Sequence, residues 1–426
     1  MSTLTLAARA LVGLLLCTSV ALATPRMSLT AGTPCTACHV NPNGAEGRTE
    51  VGFVAMHRVG MLTWDKLGAQ AYHDIDSNAF LDGMVGVGVD FRTQTARLGR
   101  PELVDEGGKS TTQVPDYTTF PMQAQPYLYV IPTGGLTLYG TWLMGPDTLR
   151  DGKFCDPVFK GMSCFGAQAM YELGGTLPNV RVGVFQPGIG VRHDDHTILT
   201  RGDAADRRVP IIAPGYAEAG GEVAWQPRQW VRTEVGVFNT HNLDLALNDG
   251  TKTADLWPVA WQGRVTLQPL FEFGGAEKKP KVEDEFGDDF GAADAAPVTP
   301  FVLNTWLGAS GYGSGDFRLV NAFLGLGIHE GLALLSEVSM SQRTTQHDTL
   351  NGMVALSYTP WAWIAGTLRA ERASTSTDTS DITTWQYVAT LEFFPLPGIE
   401  LRPEYRLVQT DDYRFGQATL QVHLFY

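Results

Sequence analysis

The segment Ile399-Glu400-Leu401-Arg402-Pro403-Glu404-Tyr405-Arg406-Leu407 divides cleanly by parity. Successive side chains of an extended chain point to opposite faces. Ile399, Leu401, Pro403, Tyr405 and Leu407 therefore share one face, and Glu400, Arg402, Glu404 and Arg406 share the other. A soluble sandwich would turn the apolar face to a core, whereas a membrane barrel would turn it to lipid. One strand decides nothing, so the decision rests on repetition and spacing. Candidate strands fall near 83–97, 120–131, 135–144, 164–173, 178–187, 216–226, 230–239, 257–268, 301–312, 316–327, 330–343, 349–360, 361–373, 382–395, 398–408 and 415–426. Sixteen is an even number, as single-chain bacterial outer-membrane barrels require.

The connections sort by parity as well. Those after even-numbered strands are tight: Pro132-Thr133-Gly134, Gly174-Gly175-Thr176, Gln226-Pro227-Arg228-Gln229, His329-Glu330 and Pro395-Leu396-Pro397. Those after odd-numbered strands are long and polar in the first half, as at 98–119, 145–163, 188–215 and 240–256. Short turns at one end and long loops at the other are the pattern of an outer-membrane barrel. Trp257, Trp261, Trp306, Trp361, Trp363, Trp385 and Tyr387 are expected to form its interfacial girdle. The last strand alternates through Ala418, Leu420, Val422 and Leu424 to a terminal Tyr426, which resembles the signal read by the barrel assembly machinery. The expected fold is thus all-β: a sixteen-stranded antiparallel transmembrane β-barrel over 83–426. A two-domain sandwich is the alternative.

Composition by itself points elsewhere. The 426 residues carry 31 Lys+Arg against 45 Asp+Glu, a net charge of −14, and a mean hydropathy of −0.07, which reads as an acidic soluble protein. The acidity argues against nucleic acid as a partner. Ala10 to Ala23 is the one continuous apolar run; it is too short for a spanning helix, so a helical membrane protein is excluded. Arg9 precedes that run and Ala21-Leu22-Ala23 closes it. Residues 1–23 are expected to be a signal peptide cleaved after Ala23. Cys17 leaves with it, and the remaining four cysteines belong to an oxidising compartment.

Those four form two unlike pairs. Cys35-Thr36-Ala37-Cys38-His39 has the spacing of c-type haem attachment: two thiols for the two vinyl groups and an imidazole for the iron. A short disulfide, a redox pair or half of a zinc site are the competing readings. Neither a βαβ context nor a second ligand pair accompanies the motif. Cys155 and Cys164, in a polar loop, are expected to form a disulfide. With His39 as proximal ligand of one covalent haem c, His57 is the first choice for the distal position. Met56, Met61, His73, Met27 and His196 are weaker candidates. Residues 24–82 have too little apolar content to bury a haem unaided. They are expected to plug the barrel, gripped by interior charges such as Asp90, Arg92, Glu222, Glu234, Arg264, Glu337, Arg369, Glu392 and Arg406.

The leader, the single CxxCH and the sixteen-strand barrel together resemble the fused monohaem c-type cytochrome–porins of the bacterial outer membrane, the iron-oxidising outer-membrane cytochrome family. The strings Ser28-Leu29-Thr30, Cys35 to His39, Val40-Asn41-Pro42-Asn43-Gly44 and Gly47-Arg48 resemble the haem segment of a porin-like cytochrome group. So does Phe185-Gln186-Pro187-Gly188-Ile189-Gly190-Val191-Arg192, continuing to Asp195-His196-Thr197 and Arg201. The resemblance implies outer-membrane electron transfer through a single haem, with Fe(II) as the donor. The residues alone leave the loop His193, Asp194, Asp195, His196 and Arg201 open to two uses, a hard-cation site or a hydrogen-bonded latch folding into the lumen.

One connection departs from the parity rule. The turn after the eighth strand runs from Pro269 to Pro300 and carries Glu283, Asp284, Glu285, Asp288, Asp289 and Asp294. It is either an acidic linker or, across 283–294, a periplasmic dock for a positively charged redox carrier. The expected function is electron transfer between an extracellular metal ion or small redox molecule and that carrier, from an outer membrane with the N-terminus on the periplasmic side and lipid around the barrel. A passive porin with the haem segment as plug or sensor, and a haem peroxidase-type enzyme, are the alternatives. An electron-transfer protein is favoured over a classical enzyme.

Overall fold

The computed structural model describes residues 25–42, 44, 47–98, 103–104, 110–111, 116–145, 148–149, 152, 161–193, 195, 198–202, 204, 212–213, 215–248, 254–273, 301–328, 331–344, 347–377, 381–410 and 414–426. The expected signal peptide, Cys155, Asp194, His196 and the acidic stretch 283–294 lie outside them.

The sheet is a closed antiparallel ring. Its strands are β1 (Val85–Leu98), β2 (Asp116–Thr133), β3 (Leu136–Trp142), β4 (Phe165–Glu172), β5 (Asn179–Phe185), β6 (Glu218–Arg228), β7 (Val231–Asn239) and β8 (Val259–Leu267, resumed as Leu270–Phe273). They continue as β9 (Phe301–Ser314), β10 (Phe317–Ile328), β11 (Leu332–Thr344), β12 (His347–Trp361), β13 (Ile364–Thr377), β14 (Asp381–Leu396), β15 (Ile399–Thr410) and β16 (Arg414–Phe425). Each pairs with the next, and β16 returns to β1 in a register running from Asp90↔Phe425 to Leu98↔Gln417. One strand falls in each of the sixteen expected segments. The break in β8 falls at Gln268-Pro269, where proline has no N–H for the ladder. Short connections cluster at one end. Gly134-Gly135 joins β2 to β3, and Pro397-Gly398 joins β14 to β15, with Gly135 at φ +89° and Gly398 at φ +78°, values that favour glycine.

The barrel is inverted relative to a soluble protein. In β15, Glu400 and Arg406 are buried whereas Tyr405 faces outward. In β7, Glu234 is 2% exposed and its neighbour Val235 65%. The outer surface is an apolar band continued by Val237, Leu307, Val338, Met340 and Leu368. Trp257, Trp261, Trp361, Trp385 and Tyr387 stand outward on it. Trp306 does not. It shares the inner face of β9 with Gly308 and Ser310, is 6% exposed, and meets Phe323 edge-on at 6.4 Å. Aromatic content marked it for the girdle, but the strand register turns it inward. Trp363 also departs from the girdle, half-buried in the β12–β13 turn against the Met27–Met56 cluster.

The N-terminal segment packs against the inner wall through described residues of 25–59 and through Asn78, whereas Met61, Leu62, Leu67 and Tyr72 are exposed. Helix α1 (Pro25–Ala31) lays Leu29 among Val191, Ile198, Trp306, Phe323 and Met353. It can lie on β10 because Gly327 has no side chain: a Cβ there would come within 2.0 Å of the Leu29 carbonyl. Asn304 Nδ2 donates to that same carbonyl at 2.8 Å. Helix α2 (Glu50–His57) is capped by Thr49, whose Oγ1 accepts from the Gly52 N–H. A Cβ at Gly52 would lie 2.1 Å from the Cys38 carbonyl oxygen, so α2 backs directly onto the CxxCH turn. Met27, Met56, Val59, Phe394 and Phe425 close one apolar cluster between this segment and β14–β16. Buried ion pairs cross the same boundary: Arg26–Glu392 at 2.6 Å and Arg48–Asp90 at 3.1 Å.

The inverted pattern has a direct thermodynamic signature. Val235→Arg, on the outward face, should destabilise the barrel by roughly 2–4 kcal/mol if it lies near the bilayer midplane. The check is the urea midpoint of vesicle-reconstituted protein, and an unchanged midpoint would argue against lipid exposure of this face.

Candidate functional site

The CxxCH segment is a tight turn. Cys35–Ala37 form one turn of 3₁₀ helix in which the N–H groups of Cys38 and His39 both reach the Cys35 carbonyl, at 3.2 and 3.0 Å. Thr49 straps the turn to α2, its N–H donating to the Cys38 carbonyl at 3.1 Å and its Oγ1 to that of Ala37 at 3.0 Å. Cys35 and Cys38 are free thiols, each half-buried. Burial pushes both thiols up, and for Cys35 the nearby Arg264 and Arg232 only partly oppose it. Among the described residues no group of three or more His, Cys, Asp or Glu side chains is placed to hold a metal ion.

Cys35, Thr36, Cys38 and His39 line one cavity in the lumen, about 1720 Å³ including the solvent it opens onto. Its wall carries Arg26, Arg192, Arg232, Arg264, Arg369 and Arg402 against Asp195, Glu234 and Glu392. A second cavity of about 940 Å³ reaches from Glu50, Gly83 and Glu172 to the same motif, sharing Thr36, His39, Pro42 and Arg232 with the first. His39 thus stands between two spaces.

The described residues of the β5–β6 connection fold back into the barrel, and Val191, Arg192, His193 and Asp195 among them line the first cavity. The Gly190 N–H donates to Ser310 Oγ at 2.7 Å, that of Leu199 to Glu371 at 2.5 Å, and that of Ala204 to Thr375 at 2.9 Å. Asp195 bridges Arg369 and Arg406, the latter at 3.0 Å. Arg201 donates to the carbonyls of Ile189 and Val191, closing the loop on itself. Buried backbone of this kind persists only with its polar groups paired, and the inward-facing side chains of β9, β11 and β13 pair it. Asp195 and Arg201 are therefore both engaged in holding the loop.

The distal candidates scatter. His57 ends α2, stacked on Phe53 at 5.1 Å, with Nε2 on the Tyr72 carbonyl and no place in the cavity lining. Met56 and Met27 are packed in the cluster with Phe394 and Phe425. Met61 is exposed beside Phe394, to whose carbonyl its N–H donates. His73, at the end of α3 (Gln70–His73), lies 4.0 Å from Asp65. His193 and Asp195 do line the cavity, as does Met353 of β12. Met353 escaped sequence reading. Its inward parity with Asn351 and Ala355 was the available signal. Cys164 is disulfide-bonded.

No family model matches the chain, and no curated protein does. Solved structures do. OprB of Pseudomonas putida aligns at 12% identity over 81% of this chain and 95% of its own, with a TM-score of 0.51. The fold is a porin-like transmembrane β-barrel. An anion-selective porin from Comamonas acidovorans (12% identity, 80% and 98% covered, TM-score 0.45) and OpdK of Pseudomonas aeruginosa (12%, 82% and 100%, 0.42) also align. At such identities the likeness extends to the barrel alone.

Removing the carboxylate by which the loop grips the wall should open the barrel. Asp195→Asn breaks a largely buried pair of the kind that costs about 3–5 kcal/mol to disrupt. In planar bilayers the expected result is a conductance above that of the unaltered protein, and equal conductance would show that Asp195 does not hold the loop closed.

Proposed function

We propose that this chain is an outer-membrane electron-transfer protein carrying one covalent haem c in the barrel lumen. The observation that carries it is the placement of the CxxCH turn: both thiols and His39 open onto one cavity inside a closed barrel. Cys35 and Cys38 would hold the two thioether bonds and His39 the proximal position. The excess of arginine in the lining suits a ligand with two carboxylates, as haem has. Bound there, haem supplies a one-electron couple. The chain's own residues hold it, shield it between the N-terminal segment and the β5–β6 loop, and leave a cavity on either side of His39.

The hydrocarbon core is about 30 Å thick, more than one haem spans, so donor and acceptor must each reach inward. The two cavities supply that reach. In this reading the short-turn end and the N-terminus are periplasmic, the donor or acceptor is an extracellular metal ion such as Fe(II) or a small redox molecule, and a basic periplasmic carrier docks near 283–294. Deleting 277–296 should slow electron transfer to such a carrier and remove its salt dependence; unchanged transfer would dismiss the dock.

A second reading is a passive porin with the haem segment as plug or sensor. The adjoining cavities and the porin-like barrel favour it. A large ohmic conductance would select it. Haem staining of the denatured polypeptide tests the first: pigment should remain with the chain and be lost in Cys35→Ser and Cys38→Ser. A colourless wild-type chain would overturn electron transfer by haem.

A further inference from the structure

A haem bound through His39 has a second axial face, and the β5–β6 loop brings an imidazole to the cavity that would receive it. His193 lines that cavity with Cys35, Cys38 and His39. Its Nε2 lies 3.0 Å from Glu337 Oε2, on a carboxylate that is fully buried in β11. The same carboxylate accepts from Asn321 Nδ2 at 3.1 Å and from the Val191 N–H at 3.4 Å. The ring is therefore oriented by a carboxylate that is itself held, and Nδ1 is the nitrogen left to bind. Metal-bound histidines show this arrangement: one ring nitrogen on the metal, the other hydrogen-bonded to a carboxylate that fixes tautomer and orientation. The backbone is shaped for it. Gly190 sits at φ +51°, a conformation that favours glycine, and a Cβ there would come within 2.0 Å of Glu337 Oε1.

We propose that His193 is the distal axial ligand of the haem, an inference that rests on the haem reading above. The competing donor on the wall is Met353. It is 6% exposed and packed with Leu29, Val191 and Trp306, so its thioether is committed to the apolar cluster. The haem is then clamped between two segments that both enter the lumen, His39 from the N-terminal side and His193 from the loop. Two imidazoles also give a lower potential than an imidazole and a thioether.

The test uses the full-length holoprotein. Its absorption and electron paramagnetic resonance spectra should be six-coordinate and low-spin, with the reduced form refusing carbon monoxide. His193→Ala should lose the low-spin signal and gain carbon monoxide binding, and added imidazole should restore the original spectrum. Met353→Leu should change neither. If His193→Ala fails to assemble, His193→Met serves instead, keeping six-coordination while raising the potential. Covalent haem with an unchanged spectrum in His193→Ala, an unshifted potential in His193→Met, or loss of the low-spin signal in Met353→Leu would each overturn the assignment while leaving the haem reading intact. A wild-type chain without covalent haem would overturn both.

Discussion

In hydrocarbon no water is available to a peptide group, so every backbone N–H and C=O must find its partner within the protein. A sheet satisfies that demand only by closing, and here β16 pairs back onto β1. Closure with sixteen strands creates a further obligation. Barrels of about eight strands fill their own interiors with side chains, whereas those of sixteen enclose a channel. The lumen must hold water or chain. In this protein much of it holds chain: described residues of 25–59 packed against one region of the wall and the described part of the β5–β6 loop against another.

Occupying a polar lumen with polypeptide brings charges out of water, and buried charges are tolerated only when paired and hydrogen-bonded. The pairs follow the boundaries of the inserted segments. Arg26 meets Glu392 and Arg48 meets Asp90 beneath the N-terminal segment. His423 extends the second pair, with Nε2 3.1 Å from Asp90 and Nδ1 3.0 Å from Glu400. Asp195, Arg369 and Arg406 do the same for the loop. Where the inserted chain is apolar the wall is apolar too. Phe317, Leu319 and Phe323 face inward from β10, toward Tyr312, Leu29 and Trp306. The lumen is thus a largely fitted interior, and the CxxCH turn borders two of the cavities left in it.

The strands were legible because alternation is a local property. Charges at every second residue of β15 declare an inner and an outer face without knowledge of any neighbour, and connection length by parity separates the two ends. The cysteine motif was legible for the same reason, its chemistry lying in five consecutive residues. Trp306 and the distal candidates were not. Trp306 is aromatic, as a girdle residue would be, and the apolar partners that receive it on the inner face, Leu29 and Phe323, come from elsewhere in the chain. His57 is near His39 in sequence but spends its Nε2 on Tyr72, while His193, some 150 residues further along, shares the cavity with His39.

The amino-acid sequence by itself determined the class of fold, the number of strands, the face most of them present to lipid and the place of the cysteine motif, because these depend on residue order within a single strand or turn. The tertiary structure decided what fills the barrel and which side chains share a cavity with His39. Those outcomes depend on which loop turns back through a ring of strands, and on whether carboxylates and arginines far apart in the chain meet closely enough to justify leaving water.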